Sequence, residues 1–293
     1  MKFLPAKKSF LSEEGGAQNP ADAKAVIIPF GLERTVSYGG GTANGPQAIL
    51  DASGQLEMYD EELGCEAFRK YGVATLEPEK IVKGQEAALD QLSGIVQQVL
   101  DAGKFPMVLG GEHAITAGAI KPYAKKYDEL WVLHFDAHAD LRDGYDGEHY
   151  SHAAALRRVL DNQNVNLVSV GIRNISAGEI PFYESSQNRV KIYFAKDKKQ
   201  WNAGQIAAHF KGNNVYITFD LDGFDSSLMP ATGTPEPGGL FWDEALEVIR
   251  EVTKVAGKVV GADVNELAPI AGFHACNFVA AKLVYKILNY SLI

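Results

Sequence analysis

The chain has 293 residues, 46% hydrophobic, 10% aromatic and 22% charged, with 28 basic against 37 acidic side chains and a formal net charge of −9. These fractions are those of a globular protein and exclude a fibrous or disordered one. The acidic balance, unbroken by any basic cluster longer than Lys196–Lys199, excludes a nucleic-acid binder that works by neutralising phosphates. No stretch approaches the ~18 apolar residues of a membrane span, and the lysines of the opening Met-Lys-Phe-Leu-Pro-Ala-Lys-Lys do not suit a signal peptide. Cys65 and Cys276 lie far apart, so neither a disulfide framework nor a cysteine zinc site is expected. The expectation is a soluble, cytoplasmic protein with no membrane or nucleic-acid partner, built as a single domain over 1–293.

In chain order, apolar runs at Ala25–Phe30, Tyr71–Leu76, Phe105–Leu109, Trp131–Phe135, Leu167–Val170, Val190–Phe194, Val215–Phe219 and Val259–Val264 predict buried strands. Their near-continuous hydrophobicity suits a parallel sheet covered on both faces. Amphipathic stretches between them predict helices, most clearly over Gly84–Ala102, Phe241–Ala256 and His274–Tyr290. The alternation gives an α/β protein, and periodicity alone fits either a closed barrel or an open three-layer sheet. Both architectures place function at the carboxyl ends of the strands.

Three of those ends are polar. Trp131–Phe135 runs into Asp136-Ala-His138-Ala-Asp140, whose alternate side chains share a face as the strand leaves the core. Val215–Phe219 runs into Asp220-Leu-Asp222, with Asp225 just beyond, and Phe105–Leu109 ends in Gly110-Gly111-Glu112-His113. The two glycines let backbone and imidazole approach a site closely. Carboxylates crowded at buried strand ends repel one another unless something positive sits among them. Two histidines and four aspartates exceed the needs of one zinc ion and suit two divalent ions about 3.5–4 Å apart. Carboxylate and imidazole without thiolate favours manganese. Such a centre generates a nucleophile from water at neutral pH and welcomes a cationic substrate.

The segments Gly-Gly-Glu-His113, Asp136-Ala-His-Ala-Asp140, Ser151-His152, Asp220-Leu-Asp222-Gly-Phe-Asp225 and Ala231–Gly239 resemble the ureohydrolase family of arginases and agmatinases. The likeness runs from the Gly39–Pro46 loop to Asp263-Val-Asn-Glu266-Leu-Ala-Pro269. It implies a three-layer α/β/α fold with a mostly parallel sheet of about eight strands. It also implies two Mn²⁺ per subunit and hydrolysis of a guanidino group to urea and an amine by a metal-bridging hydroxide. By the same resemblance His113 and Asp140 complete one metal's shell, His138 and Asp222 the other's, and Asp136 and Asp220 bridge the two. His152 matches the catalytic histidine, suited to moving protons by its near-neutral pKa. Glu266 matches the carboxylate that pairs with the guanidinium. A trimer or hexamer is implied as well.

Arginases carry an aspartate where this chain has Ser176, for the substrate's amino group, and an asparagine at the position of Arg142, for its carboxylate. The likeness is therefore strongest to bacterial and archaeal agmatinases, and the expected substrate is agmatine, a small guanidino cation. Aminopropyl-agmatine, guanidinobutyrate or guanidinopropionate, and arginine are the alternatives, with a zinc deacetylase of the same fold or a non-catalytic homologue more remote. Tyr38-Gly-Gly-Gly41-Thr lacks the Gly-Lys-Ser/Thr of a phosphate loop and reads as a turn before the helix at Pro46. His149, in a mobile-looking Asp143–Tyr150 loop, reads as a surface or rim residue, and His209 as structural.

Overall fold

Val and Ile, branched at Cβ, are stiff at their first side-chain torsion, and with Phe they pack well on a pleated surface. The runs rich in them form one eight-stranded sheet in a computed structural model, which describes residues 1–12 and 19–293. The strands are β1 (Ala25–Phe30), β2 (Val73–Thr75), β3 (Phe105–Gly110), β4 (Leu130–Phe135), β5 (Val165–Ile172), β6 (Val190–Phe194), β7 (Asn214–Asp220) and β8 (Lys258–Asn265). They lie in the order β2-β1-β3-β8-β7-β4-β5-β6. Every neighbouring pair is parallel, so the sheet goes beyond the mostly parallel one expected.

Helices cover both faces. On one lie α1 (Gly45–Ser53), α7 (Ala203–Ala207), α8 (Trp242–Val255) and α9 (Ala275–Leu292); on the other lie α3 (Gln85–Asp101), α4 (Ile115–Lys126) and α5 (Ala155–Leu160). Between β1 and β3 the chain also forms the short α2 (Phe68–Tyr71), and α6 (Ile180–Ser185) follows β5. Alternate strand residues feed two separate apolar layers. Ile27, Met107, Leu133 and Phe135 pack under α1, α8 and α9, whereas Val26, Val108, Val132 and Tyr216 pack under α3, α4 and α5.

The strands β1 and β6 have the expected limits, four others gain one residue at one or both ends, and β2 and β5 depart further. Tyr71 ends α2 rather than starting β2, because Gly72 takes φ 64 and closes the helix in the left-handed conformation that glycine tolerates. The strand expected over Leu167–Val170 extends to Val165–Ile172: polar Asn166 masked its start, and Gly171, at φ 95, masked its end and breaks the register against β6. The glycine run near Tyr38 is a turn, as expected. The Glu33 carboxylate holds it by accepting from the backbone N–H of Gly41 and Ala43, so those donors are already taken.

The four central strands in sheet order are β3, β8, β7 and β4. All four end in polar residues on the same edge. The fold thus brings the polar segments together in the crevice outside the strand carboxyl ends, the usual ligand position of open α/β sheets.

Candidate metal centre

The β3 end must turn sharply to deliver His113. A Cβ on Gly110 would lie 2.0 Å from Asn265 Oδ1, and one on Gly111 would lie 2.1 Å from the Leu32 carbonyl oxygen. Only glycine allows the turn to nest against β8 and the loop after β1. His113 then enters fully buried, with Nδ1 3.0 Å from both Asp136 Oδ2 and Asp140 Oδ2 and 3.5 Å from Asp220 Oδ2. His138 Nδ1 lies 3.4 Å from Asp136 Oδ1 and 3.1 Å from Asp222 Oδ2. The six side chains therefore form two groups that share Asp136, one carboxylate oxygen turned toward each imidazole.

These spacings fit a metal centre. Divalent ions bound at about 2.1 Å place adjacent octahedral ligand atoms about 3 Å apart, and the donors are all carboxylate oxygen or imidazole nitrogen. The charges agree. Burial works against charge on Asp136, but hydrogen bonds from His113, His134 and His138 hold its carboxyl well below the usual range. Burial likewise opposes charge on His138, yet Asp222 and Asp136 push its imidazole up to about 12. Burial and then the neighbouring Asp136 push Asp140 up to about 7, and burial with Asp222 and Asp136 raises Asp220 well above the ordinary carboxyl value. Two imidazoles are too little positive charge for this many carboxylates, and dications among them would restore the balance.

Residues that the sequence reading passed over stand behind these donors. His134, inside β4, places Nε2 2.8 Å from Asp136 Oδ2 and Nδ1 2.9 Å from Ser169 Oγ. Thr218, inside β7, lies 2.9 Å from His113 Nε2 and 3.1 Å from Thr116, which donates to Asp263. Tyr216 and Asn265 donate to the same carboxylate. The two-residue spacing that picked out Asp136, His138 and Asp140 runs backward to His134, as it does from Asp220 to Thr218 and Tyr216. That extension was the available signal.

All of the donors but the fully buried Asp136 line a cavity of about 300 Å³, which is also lined by His152, Glu266, Tyr38, Arg142, Tyr145 and Ser176. Glu266 follows β8 in the left-handed region at φ 66, and Asp140 follows β4 at φ 53. Glu266 Oε1 accepts the His113 backbone N–H at 2.6 Å, leaving Oε2 with no hydrogen-bond partner among the described residues. Burial, then Glu112 and Asp222, raise its carboxyl well above the usual value. His152 opens a short 3₁₀ turn, His152–Ala154, and burial with the nearby His138 and His113 lowers its imidazole pKa. Ser176 donates to Glu179 Oε2 at 2.6 Å.

The Asp143–Tyr150 segment is better tied than its sequence suggests. Asp146 and Gly147, at φ 49 and 81, form a tight two-residue hairpin turn with paired bonds between Tyr145 and Glu148. Arg158 donates to the Asp143 carbonyl at 2.8 Å and lies 2.6 Å from the ring of the exposed His149. Arg142 stacks over Tyr145, 5.1 Å from its ring centroid, and has no carboxylate partner among the described residues. Away from the cavity, His209 pairs with the Tyr193 hydroxyl at 2.9 Å and stacks on Trp131 in a structural role. Asp225, also outside the donor group, holds the Gly238 and Gly239 N–H groups and is drawn down to about 2, mainly by Ser227.

A sequence profile described as the arginase family matches residues 23–289. An N(1)-aminopropylagmatine ureohydrolase of Synechocystis sp. is 36% identical, covering 99% of this chain and 95% of the relative. An agmatinase of Bacillus anthracis is also 36% identical, over 85% of each chain. Among solved structures, the agmatine ureohydrolase of Thermoplasma volcanium superimposes with a TM-score of 0.85 and 30% identity, covering 99% of this chain and 95% of that one.

Proposed function

This chain belongs to the arginase family and is a hydrolase acting on guanidino groups, and from that footing we propose that it converts agmatine and water to putrescine and urea. The observation that carries the proposal is the pair of donor groups sharing Asp136, with Glu266 facing the same cavity. In this reading His113, Asp136, His138, Asp140, Asp220 and Asp222 hold two Mn²⁺ ions. The chemistry that such a pair supplies when bound is activation of water near neutral pH.

The chain's own residues do the rest. Glu266 Oε2 accepts from the planar guanidinium and fixes its central carbon at the donor groups, where geometry replaces a chance encounter. The acidic floor favours a cationic substrate over a neutral one. His152, which is no ligand in this scheme, gives a proton to the departing amine nitrogen as the carbon–nitrogen bond breaks. Ser176 offers no charge for an α-amino group, which supports agmatine over arginine.

A second reading replaces agmatine by its N(1)-aminopropyl derivative. It is favoured by the Synechocystis relative, which aligns over 99% of the chain where the Bacillus anthracis agmatinase aligns over 85%. The Arg142 guanidinium on the cavity wall, which has no carboxylate partner among the described residues, adds guanidinobutyrate to the compounds worth assaying. Turnover of the purified, Mn²⁺-loaded protein on agmatine, N(1)-aminopropylagmatine, guanidinobutyrate and arginine tests all of these. The expected result is the highest kcat/KM on agmatine. A tenfold preference for the aminopropyl compound would install the second reading, and the same preference for guanidinobutyrate or arginine would overturn both.

A further inference from the structure

His152 is held from a part of the chain 117 residues away. Thr35, in the loop after β1, has its Oγ1 2.9 Å from the backbone nitrogen of His152 and 3.1 Å from the ring Nδ1. That loop is itself fixed from below. Glu112 Oε2 accepts the backbone N–H of Thr35 at 2.7 Å and of Arg34 at 2.6 Å, and Gln85 donates to Glu112 Oε1 at 2.6 Å. Glu112 is fully buried. On the cavity side Tyr145 packs edge-on against the His152 ring with centroids 6.0 Å apart. The ring Nε2 has no hydrogen-bond partner among the described residues.

We propose that Thr35 is the positioning residue of His152, engaging its backbone N–H and its Nδ1 through one hydroxyl so that Nε2 alone faces the substrate. The inference rests on the role given to His152 above. In the protonated ring, Nδ1–H donates to Thr35 Oγ1, whose own hydrogen points toward the Glu112 carboxylate. When the amine leaves, the Nε2–H bond breaks and a new N–H bond forms on the amine nitrogen. The ring becomes neutral and keeps its Nδ1–H on Thr35. A ring without that anchor can turn about its side-chain torsions and present either nitrogen, which loses orientation without removing the group.

The test compares Thr35→Val, Thr35→Ser, His152→Ala and the double variant Thr35→Val/His152→Ala, each Mn²⁺-loaded with metal content measured, on the best substrate of the panel. Thr35→Val should lower kcat about tenfold with KM within twofold and metal content unchanged. The limb of its kcat–pH profile that belongs to His152 should move to lower pH, because the charged ring has lost the hydroxyl acceptor and keeps only the Thr35 backbone carbonyl. Thr35→Ser should restore both rate and profile. The double variant should be no slower than His152→Ala, since the two residues act as one unit. Wild-type rates in Thr35→Val beside an impaired His152→Ala would overturn this inference and leave the proposed function standing. Wild-type rates in His152→Ala would overturn both. Equal impairment of the serine and valine variants, or multiplied losses in the double variant, would reduce Thr35 to a packing residue and overturn the inference.

Discussion

Two clusters of charge in this chain are each built around buried carboxylates and are made to opposite ends. Under α9, Lys286 Nζ lies 3.0 Å from Asp60, 3.3 Å from Glu61 and 3.2 Å from Glu62. Asn289 donates to the second Asp60 oxygen at 2.7 Å, and Tyr71 closes the group on Asn289 at 2.6 Å. Burial works against the Asp60 charge, but Asn289 and Lys286 overcome it and hold the carboxyl below its ordinary value. At the strand ends, by contrast, four aspartates and Glu266 surround two imidazoles, and burial pushes Asp140, Asp220 and Glu266 the other way. The first cluster finds its counter-charge within the chain and serves stability. The second is short of positive charge, as a site for cations must be.

The sharpest way to break this contrast is at Asp136, the carboxylate that the two groups of side chains share. Asp136→Ala should bind neither ion and lose more than about 10³-fold of turnover, read by metal analysis and initial rates. Added Mn²⁺ should raise the thermal midpoint of the wild type and leave that of the variant unmoved, since only a bound ligand stabilises the folded state. Full metal content in the variant would show that the two donor groups are independent of Asp136.

Lys286→Met probes the other cluster. Removing one member of a buried pair leaves Asp60 uncompensated and costs about 3–5 kcal/mol, to be measured by urea unfolding. Mn²⁺ should stabilise the variant as much as the wild type, so the gap between them should persist, and the fraction that remains folded should turn over normally.

A smaller effect sharpens the site side. His134→Gln removes the imidazole that bonds Asp136 without replacing any of the six donors, and such supporting groups are typically worth about 10–100-fold in metal affinity. Metal competition titrations should show a loss in that range, with kcat at saturating Mn²⁺ nearly unchanged.

The smallest effect is a slope. Asp60 has a folded-state value below its ordinary 3.8, so its contribution to stability is present above that pH and fades as pH falls through the lower folded value. Unfolding free energies between pH 6 and 3 should therefore fall in the wild type and fall less steeply in Lys286→Met.

What the sequence revealed, and what it hid, divides along the same line. Asp136, His138 and Asp140 stand two apart after an apolar run, so their common face could be read directly, as could the runs that became β1 and β6. His134 and Thr218 obey the same spacing but sit inside strands whose hydrophobicity drew the eye away. Thr35 carried no motif, because its meaning comes from contact with a residue 117 positions on. Lys286 and Asp60 are 226 residues apart, and nothing local distinguishes a buried lysine of α9 from a solvated one. Local pattern reports which face a side chain takes; tertiary pairing, which decides whether a charge is satisfied, does not appear until the chain is folded.

Glu266 and Asp140 hold their carboxylates from a left-handed backbone, a conformation that disfavours any residue with a Cβ by about 1–2 kcal/mol. Glycine at 266 would relieve that twist and withdraw a desolvated acid, but it would also leave the buried His113 N–H without its acceptor, a loss of about 1–3 kcal/mol that offsets the gain. One carboxylate thus both faces the cavity and ties the turn after β3 to the end of β8, so neither duty can be given up without the other.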